Sequence, residues 1–147
     1  MAWTKSGIFY TSVRDQWNST NLGLDLDAET WRCAFFGSSV TPNFTQDAAY
    51  GIGTWGSSNE SSGAGYTAGG PVLPNTTLTF VGNRLVWDAD NVQLTNSTIT
   101  AEGVLLYYPD KSNRAIAAIW FGSPKETQDG TFLINWSSDG IIGFTIP

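Results

Sequence analysis

From residue 72 to the C terminus, short apolar runs alternate with turn sequences at close intervals. Runs rich in β-branched and aromatic residues, separated by Gly, Asn, Asp and Ser, are typical of β-strands. The runs TLTFV and RLVWD flank Gly82-Asn83, a two-residue hairpin signal in which the glycine supplies a positive φ. The spacing predicts about seven to nine strands. We therefore expect a mainly β protein, a single antiparallel β-sandwich or flattened barrel over residues 1–147.

In the later strands of the region 72–147, the pattern of apolar residues predicts which side chains face the core. The segment 97–108 has apolar residues at alternate positions, and 115–121 is apolar on both faces, which is typical of a central strand. Two further runs, TFLINW and IIGFTI, flank SSDG and predict a third hairpin. The residues expected to face the core are Ile99, Ala101, Leu105, Tyr107, Phe132, Ile134, Trp136, Ile142, Phe144 and Ile146.

The first 36 residues predict one helix and one strand. Three apolar residues recur at helical spacing, so 7–17 predicts a short amphipathic helix with Ser6 as its N-cap, within a helical segment 1–22. The run ETWRCAFF predicts a strand over 29–36. The residues that carry these two patterns are Phe9, Val13 and Trp17 in the helix, and Trp31, Cys33 and Phe35 on one face of the strand.

Residues 37–71 have little periodicity and predict a long irregular loop. Such loops are usually functional or are held by their own side chains. Its stretch ESSGAGYTAGGPVL (60–73) has four glycines, but Pro71 and a β pattern follow them, not the lysine or the helix of a phosphate-binding loop. The glycines therefore predict close backbone packing. The side chains expected to hold the loop are Phe44, Tyr50, Ile52, Trp55 and Tyr66.

Charge and composition exclude two classes of partner. The net charge is -6, and the seven basic residues are scattered, so no cluster can neutralise nucleic-acid phosphates. The uncharged stretch 61–83 is rich in Gly, Pro, Thr and Asn and predicts no membrane span. The apolar run in MAWTKSGIFYTS is too short for a signal peptide, so we expect folding in a reducing cytoplasm. The single cysteine, Cys33, is then a buried free thiol.

The chain lacks the residues that most catalytic mechanisms use. Without histidine and with one cysteine, the usual general base, nucleophilic triads and zinc or iron–sulfur ligand sets are missing. Carboxylates alternate in LDLDAE and WDADN, where they could bind Ca²⁺, form a glycosidase pair or cap turns through backbone hydrogen bonds. We favour turn capping and expect no catalysis and no cofactor. The candidate calcium ligands are Asp25, Asp27, Asp88 and Asp90.

The seven tryptophans allow two interpretations. On a β scaffold they could form a platform that stacks against sugars, or they could pack in the core and at protein interfaces. Trp31, Trp87 and Trp136 lie on the apolar faces of predicted strands, which favours the core. Exposure is plausible for Trp3, Trp17 and Trp55. Core or interface packing is therefore the favoured interpretation.

Four segments follow one another along nearly the whole chain: LDLDAETWRCAFFGSSVTPNFTQDAAY, ESSGAGYTAGG, LVWDADNVQLTNSTITAEGVLLYY and AIAAIWFGSPKETQDGTFLINWSSDGII. Their order resembles that of small structural proteins of tailed-bacteriophage virions. Members of that family include decoration and minor capsid proteins as well as tail or fibre parts, and no catalytic residues come with the resemblance. The run WRCAFF is bulkier than the lysine and aliphatic residues common at this strand in the family.

The resemblance implies a non-enzymatic protein on the surface of the virion head that decorates or cements the capsid. Its expected partners are the major capsid protein and further copies of itself on the lattice, with avidity in place of tight single-site binding. The alternative is a tail or fibre component that binds host-surface glycans. The expected contact segments are 1–17 and 37–71. The interface candidates are Trp3, Phe9, Trp17, Phe44, Tyr50, Trp55 and Tyr66.

Overall fold

The computed structural model describes residues 3–147, so Met1 and Ala2 of the predicted N-terminal segment lie outside the described residues. Two antiparallel sheets, one of them a curled half-barrel, and one short helix form the fold. The elements are β1 (Gly7–Ile8), α1 (Tyr10–Trp17), β2 (Arg32–Phe36), β3 (Thr77–Val81), β4 (Arg84–Asp88), β5 (Val92–Tyr108), β6 (Arg114–Ile134) and β7 (Ile142–Thr145). The predicted mainly β class, with a short N-terminal helix and a long irregular loop, is confirmed.

The four-stranded sheet has the order β1-β6-β5-β2, and the three-stranded sheet has the order β3-β4-β7. The predicted hairpin at Gly82-Asn83 is confirmed, because Val81 pairs with Arg84 across it and Gly82 has a φ of 63°. The loop between β2 and β3 contains only one short helical turn, a 3-10 turn at Gly53–Trp55.

The predicted third hairpin around SSDG is wrong. Residues that precede this turn belong to the end of β6, where Phe132 pairs with Leu94 of β5. The residues that follow it form β7, which pairs with β4 through Leu85 and Phe144. Alternating apolar residues specify that a segment is a strand, but they do not specify its partner, and here the chain crosses from one sheet to the other.

Strand β6 is strongly bent. The rings of Phe121 and Phe132 lie 5.8 Å apart, although eleven residues of straight strand would span roughly 36 Å. The β5–β6 register shifts at four places, and Asn96 and Asp129 have positive φ angles near two of them. These irregularities let the long hairpin curl over the core.

The predicted single face of β5 is also wrong. Ile99 and Ala101 pack in the core between the two sheets, whereas Leu105 and Tyr107 pack on the opposite side of the four-stranded sheet. A register shift between Ala101 and Gly103 inverts the alternation. A β-bulge of this kind leaves little trace in the pattern of apolar residues.

The four-stranded sheet is buried on both faces. One face carries Trp31, Cys33 and Phe35 and packs against the three-stranded sheet through Trp87. The other face lies under the N-terminal segment and the loop after β2. This double coverage agrees with the prediction that 115–121 is a central strand, and it buries the free thiol of Cys33, whose pKa it raises.

The helix begins later than predicted. Gly7 and Ile8 pair with Ala118 and Ala117 as β1, and Phe9 takes the N-cap position of α1. Ser6 is not the cap, because its hydroxyl oxygen accepts a hydrogen bond from the backbone nitrogen of Trp120. Pairing with β6 therefore overrides the helical preference of the first predicted turn.

Glu102 is a buried carboxylate that makes no ion pair with any residue of 3–147. Its side chain lies in β5 at 6% exposure, one oxygen accepts a 3.4 Å hydrogen bond from Trp120, and the other has no partner among the described residues. We predict that Glu102→Gln raises the free energy of unfolding by about 1 kcal/mol, because the amide costs less to bury than an acid without a cationic partner and keeps an acceptor for Trp120. Chemical denaturation measures the change.

The matched control is Glu126→Gln, on the exposed part of β6 and opposite Thr100. It should change the free energy of unfolding by less than about 0.5 kcal/mol. A large loss of stability in Glu102→Gln would contradict this description, since it would mean that the Glu102 side chain has a stabilising partner.

Candidate functional site

Helix α1 turns its polar side inward. Its buried residues are Ser12 and Asp15. Of the predicted apolar stripe, Phe9 is buried at the N-cap, Val13 is half-buried and Trp17 is exposed. Ser12 donates a 2.6 Å hydrogen bond to the carbonyl oxygen of Ala115. The helix is therefore attached to β6 by polar contacts, and the end of its apolar stripe faces outward.

Arg114 is the second attachment of α1. Its guanidinium donates hydrogen bonds to Ser12 at 3.0 Å and to the carboxylates of Asp15 and Asp47 at 3.1 Å each. Hydrogen bonds from Arg14 and then from Arg114 lower the pKa of Asp15 against the opposing effect of burial. Planar, charge-assisted contacts of this kind fix the position of the helix better than apolar contact alone would.

The outward end of the helix exposes Trp17. Its side chain is 72% exposed, and its ring meets that of Phe144 edge to face at a centroid distance of 6.0 Å. Leu85 of β4 lies opposite both Phe80 and Phe144, so these three side chains stand in a row on one face of the three-stranded sheet. We call Trp17, Phe80, Leu85 and Phe144 the Trp17 face.

Most of the Trp17 face is open to solvent. Phe80 is 68% exposed, and Leu85 and Phe144 are half-buried. Between α1 and the sheet the face continues into a groove of about 230 Å³. Apolar side chains that line this groove include Val13, Trp17, Leu26, Leu78, Leu85 and Phe144. A concave apolar surface beside a protruding tryptophan suits a protein partner.

Of the seven predicted interface residues, only Trp17 is well exposed. The prediction is wrong for the four residues that are buried in the core under the N-terminal segment, namely Trp3, Phe9, Phe44 and Trp55. Trp55 packs edge to face against Trp3 and Phe9, at centroid distances of 5.6 and 6.0 Å. These aromatics pack the long loop against the sheet, as expected for Phe44 and Trp55. The same expectation is wrong for Ile52, whose side chain is exposed.

The remaining two interface candidates, Tyr50 and Tyr66, belong to a hydrogen-bonded cluster around Glu60. Their hydroxyls donate to the two carboxylate oxygens of Glu60 at 2.8 and 2.6 Å, and the backbone nitrogen of Gly69 donates at 2.7 Å. The hydroxyl of Tyr107 donates to the carbonyl oxygen of Gly69 at 2.7 Å. Each carboxylate oxygen of Glu60 thus accepts at least one hydrogen bond, and the cluster fixes the loop.

The glycine-rich stretch 60–73 covers the outer edge of β2. Its backbone exchanges hydrogen bonds with Phe35, Cys33 and Trp31 at 2.8 to 3.0 Å. A Cβ added at Gly70 would overlap the carbonyl oxygen of Cys33, and one added at Gly63 would overlap that of Thr98. The close backbone approach predicted from the glycines is therefore to the same chain.

The tyrosines of this cluster make the folding stability of the protein decrease at alkaline pH. Burial first, and then the hydrogen bond to Glu60, raises the pKa of Tyr50 from its ordinary 10 to about 12, and the same two causes raise the pKa of Tyr66. Burial also raises the pKa of Tyr107. Because the folded state favours the neutral phenols, their contribution to stability is complete below pH 10 and decreases as the pH rises above 10, and that of Tyr50 is lost as the pH rises through about 12.

We predict that the free energy of unfolding is level near neutral pH and falls above pH 10, and that the fall is shallower in Tyr66→Phe. Urea denaturation at a series of pH values measures both slopes. If the free energy of unfolding fell equally steeply with pH in the two proteins, the alkaline loss of stability could not be assigned to the cluster around Glu60.

The carboxylate pairs lie apart from the Trp17 face, with the exception of Asp25, which borders its groove. Residues 25–29 form turns rather than the extended strand considered from the sequence. A hydrogen bond that the protonated Asp25 carboxyl donates to Asp27 raises the pKa of Asp25. Within residues 3–147, no group of three or more His, Cys, Asp and Glu side chains could hold a metal ion.

Of Asp88 and Asp90, which lie at the end of β4 and just after it, only Asp88 accepts a local backbone hydrogen bond, as turn capping requires. Asp88 accepts a hydrogen bond from the backbone nitrogen of Ala89 at 2.9 Å, and Asp90 accepts one from the side chain of Asn75. Together with Asn91 and Trp136 they line an open pocket of about 500 Å³. This arrangement places an indole beside several polar groups.

Sequence reasoning missed Phe80 and Leu85 of the Trp17 face. One signal was available, because TLTFV and RLVWD alternate as the strands of a half-buried sheet do, although the tip of their hairpin extends beyond the core. Among the described residues, no helix is long and apolar enough to cross a membrane. No family model, curated protein or solved structure matches the chain.

Proposed function

We propose that this protein is a non-enzymatic structural component of a tailed-bacteriophage virion, and that it docks on the outer surface of the head through the Trp17 face. The observation that carries the proposal is the exposure of Trp17 at 72% on a helix whose buried side is polar. Tryptophan is among the residues that contribute most to binding at protein interfaces.

The Trp17 face suits docking because it is held in place before binding. The hydrogen bonds of Ser12 and Arg114 fix the helix, and the β3–β4–β7 ladder fixes Phe80, Leu85 and Phe144. Little conformational entropy is then lost on association. A single small face gives modest affinity, and many copies on a lattice raise the total binding through avidity.

The partner in this proposal is the major capsid protein. The net charge of -6 disfavours attraction to packaged DNA. The affinity for the capsid protein then comes mainly from the apolar contact of the Trp17 face. The family resemblance of the sequence supports the same partner. Self-association on the lattice would add contacts between neighbouring copies.

The experiment is a co-sedimentation assay of the purified protein with heads that lack it. The proposal expects saturable binding to heads and none to isolated tails. Binding to tails alone, or to neither particle, would contradict it.

A second candidate function is binding of host-surface glycans by a tail or fibre component. The pocket of Asp88, Asp90, Asn91 and Trp136 favours it, because sugars stack on indoles and donate hydroxyl hydrogen bonds to carboxylates. A glycan array with the purified protein separates the two candidates. Decoration alone predicts no signal, whereas a signal that Trp136→Ala removes would favour the glycan function.

A further inference from the structure

The outer edge of β6 is free over much of its length. Strand β1 pairs with it only at Ala117 and Ala118, and Ser6 contacts the backbone nitrogen of Trp120. From Phe121 to Ile134, no strand of the described chain pairs with this edge. The other edge of the same sheet, at β2, is covered by the stretch 60–73.

A groove of about 380 Å³ runs along this free edge. Five consecutive residues, 131–135, line it together, and the first four of them belong to β6. Successive side chains of a strand point to opposite faces, so a groove that touches all four must follow the edge itself. Phe121 and residues 125–127 form its other side.

Only part of the edge is protected against pairing with another strand. Pro124, Lys125 and the positive φ of Asp129 interrupt residues 122–129, as proteins commonly do to block edge pairing. Residues 131–134 contain no proline, no charge and no positive φ. Leu133 in this segment is also 53% exposed.

We propose that the 131–134 edge of β6 binds an extended segment of a partner polypeptide by strand addition. Unpaired backbone donors and acceptors beside a partly apolar groove match an added strand, which supplies main-chain hydrogen bonds and places alternate side chains in the groove. An apolar side chain at every second position fits the lining of Phe121, Phe132 and Ile134.

The occupant is a flexible segment and not the same edge of a second copy. Four residues of strand span only roughly 13 Å. Pairing two such edges would bury far less than the 1,200 Å² or so that a stable dimer needs, whereas a single extended segment can enter the groove and contact both of its sides. The proposal concerns a surface other than the Trp17 face and holds whether or not the protein docks on capsids.

The probe is a blocked peptide of about seven residues, alternating valine and threonine, long enough to span the edge. Two further peptides carry N-methyl groups either on the valine or on the threonine nitrogens, which removes the donors from one edge of the peptide at a time. Strand addition predicts saturable binding of the parent peptide, measured by fluorescence anisotropy. It also predicts that one methylated peptide binds at least about tenfold more weakly than the other.

The protein variant is Leu133→Lys, which places a charge on the edge at an exposed position and should preserve the fold. Its matched control is Val81→Lys, at a 62% exposed position of the other sheet. Leu133→Lys should weaken peptide binding at least about tenfold, and Val81→Lys should leave it unchanged. Absence of saturable binding, equal affinities of the two methylated peptides, or equal effects of the two lysine variants would overturn the proposal.

Discussion

Gly70→Ala will lower the free energy of unfolding by more than about 4 kcal/mol, or will prevent folding altogether. Gly70 has a φ of 77°, which costs a residue with a Cβ about 1–2 kcal/mol. The added Cβ would also overlap the carbonyl oxygen of Cys33. The backbone of β2 cannot retreat, because Cys33 pairs with Leu106 on one side and its nitrogen bonds to Pro71 on the other.

Gly51→Ala is the matched control for this prediction. Gly51 has a φ of 89°, but a Cβ added there would meet no atom within 4 Å. It should therefore cost only about 1–2 kcal/mol, the conformational part of the effect. Equal losses of stability in the two variants, measured by chemical denaturation, would show that the stretch 60–73 does not pack against β2 as described.

Trp17→Ala will reduce binding of the protein to phage heads at least about tenfold, and will change the free energy of unfolding by less than about 0.5 kcal/mol. The side chain makes few contacts within the chain, since it is 72% exposed and meets mainly the edge of Phe144. If it is the centre of the docking face, its loss removes the contact that contributes most. Co-sedimentation at several protein concentrations measures the change in affinity.

Tyr10→Ala supplies the control for the binding experiment. Tyr10 is a 64% exposed aromatic residue on the same helix, and it does not line the groove beside Trp17. The account expects unchanged binding for this variant. Equal effects of Tyr10→Ala and Trp17→Ala, or full binding by Trp17→Ala, would exclude the Trp17 face as the docking surface.

Local patterns predicted the parts of the fold that depend on local chemistry. The hairpin at Gly82-Asn83 follows from a turn that needs positive φ, and the central position of 115–121 follows from apolar residues on both faces. The glycines of 60–73 indicated close backbone packing, which the structure has at Gly63 and Gly70. In each case the residues that carry the signal also make the contact.

The same local patterns do not predict which strands pair with each other over long distances in the sequence. The partner of β7 depends on where the chain crosses between sheets, and the face of Leu105 depends on a register shift several residues earlier. The buried side of the helix was predicted wrongly because its polar residue Asp15 pairs with Arg114, which is 99 positions away in the sequence. A sequence pattern contains no information on that contact, so Phe9 and Trp17 received the same interpretation although one is buried and the other exposed.

The copy number of the protein in purified virions tests the proposed function most directly. Quantitative mass spectrometry gives its ratio to the major capsid protein, and immunogold labelling places it on the particle. A decoration protein should have a copy number that is a simple fraction of that of the major capsid protein, with label over the whole head. A handful of copies confined to the tail or to one vertex, or no copies in the virion, would contradict the proposed function.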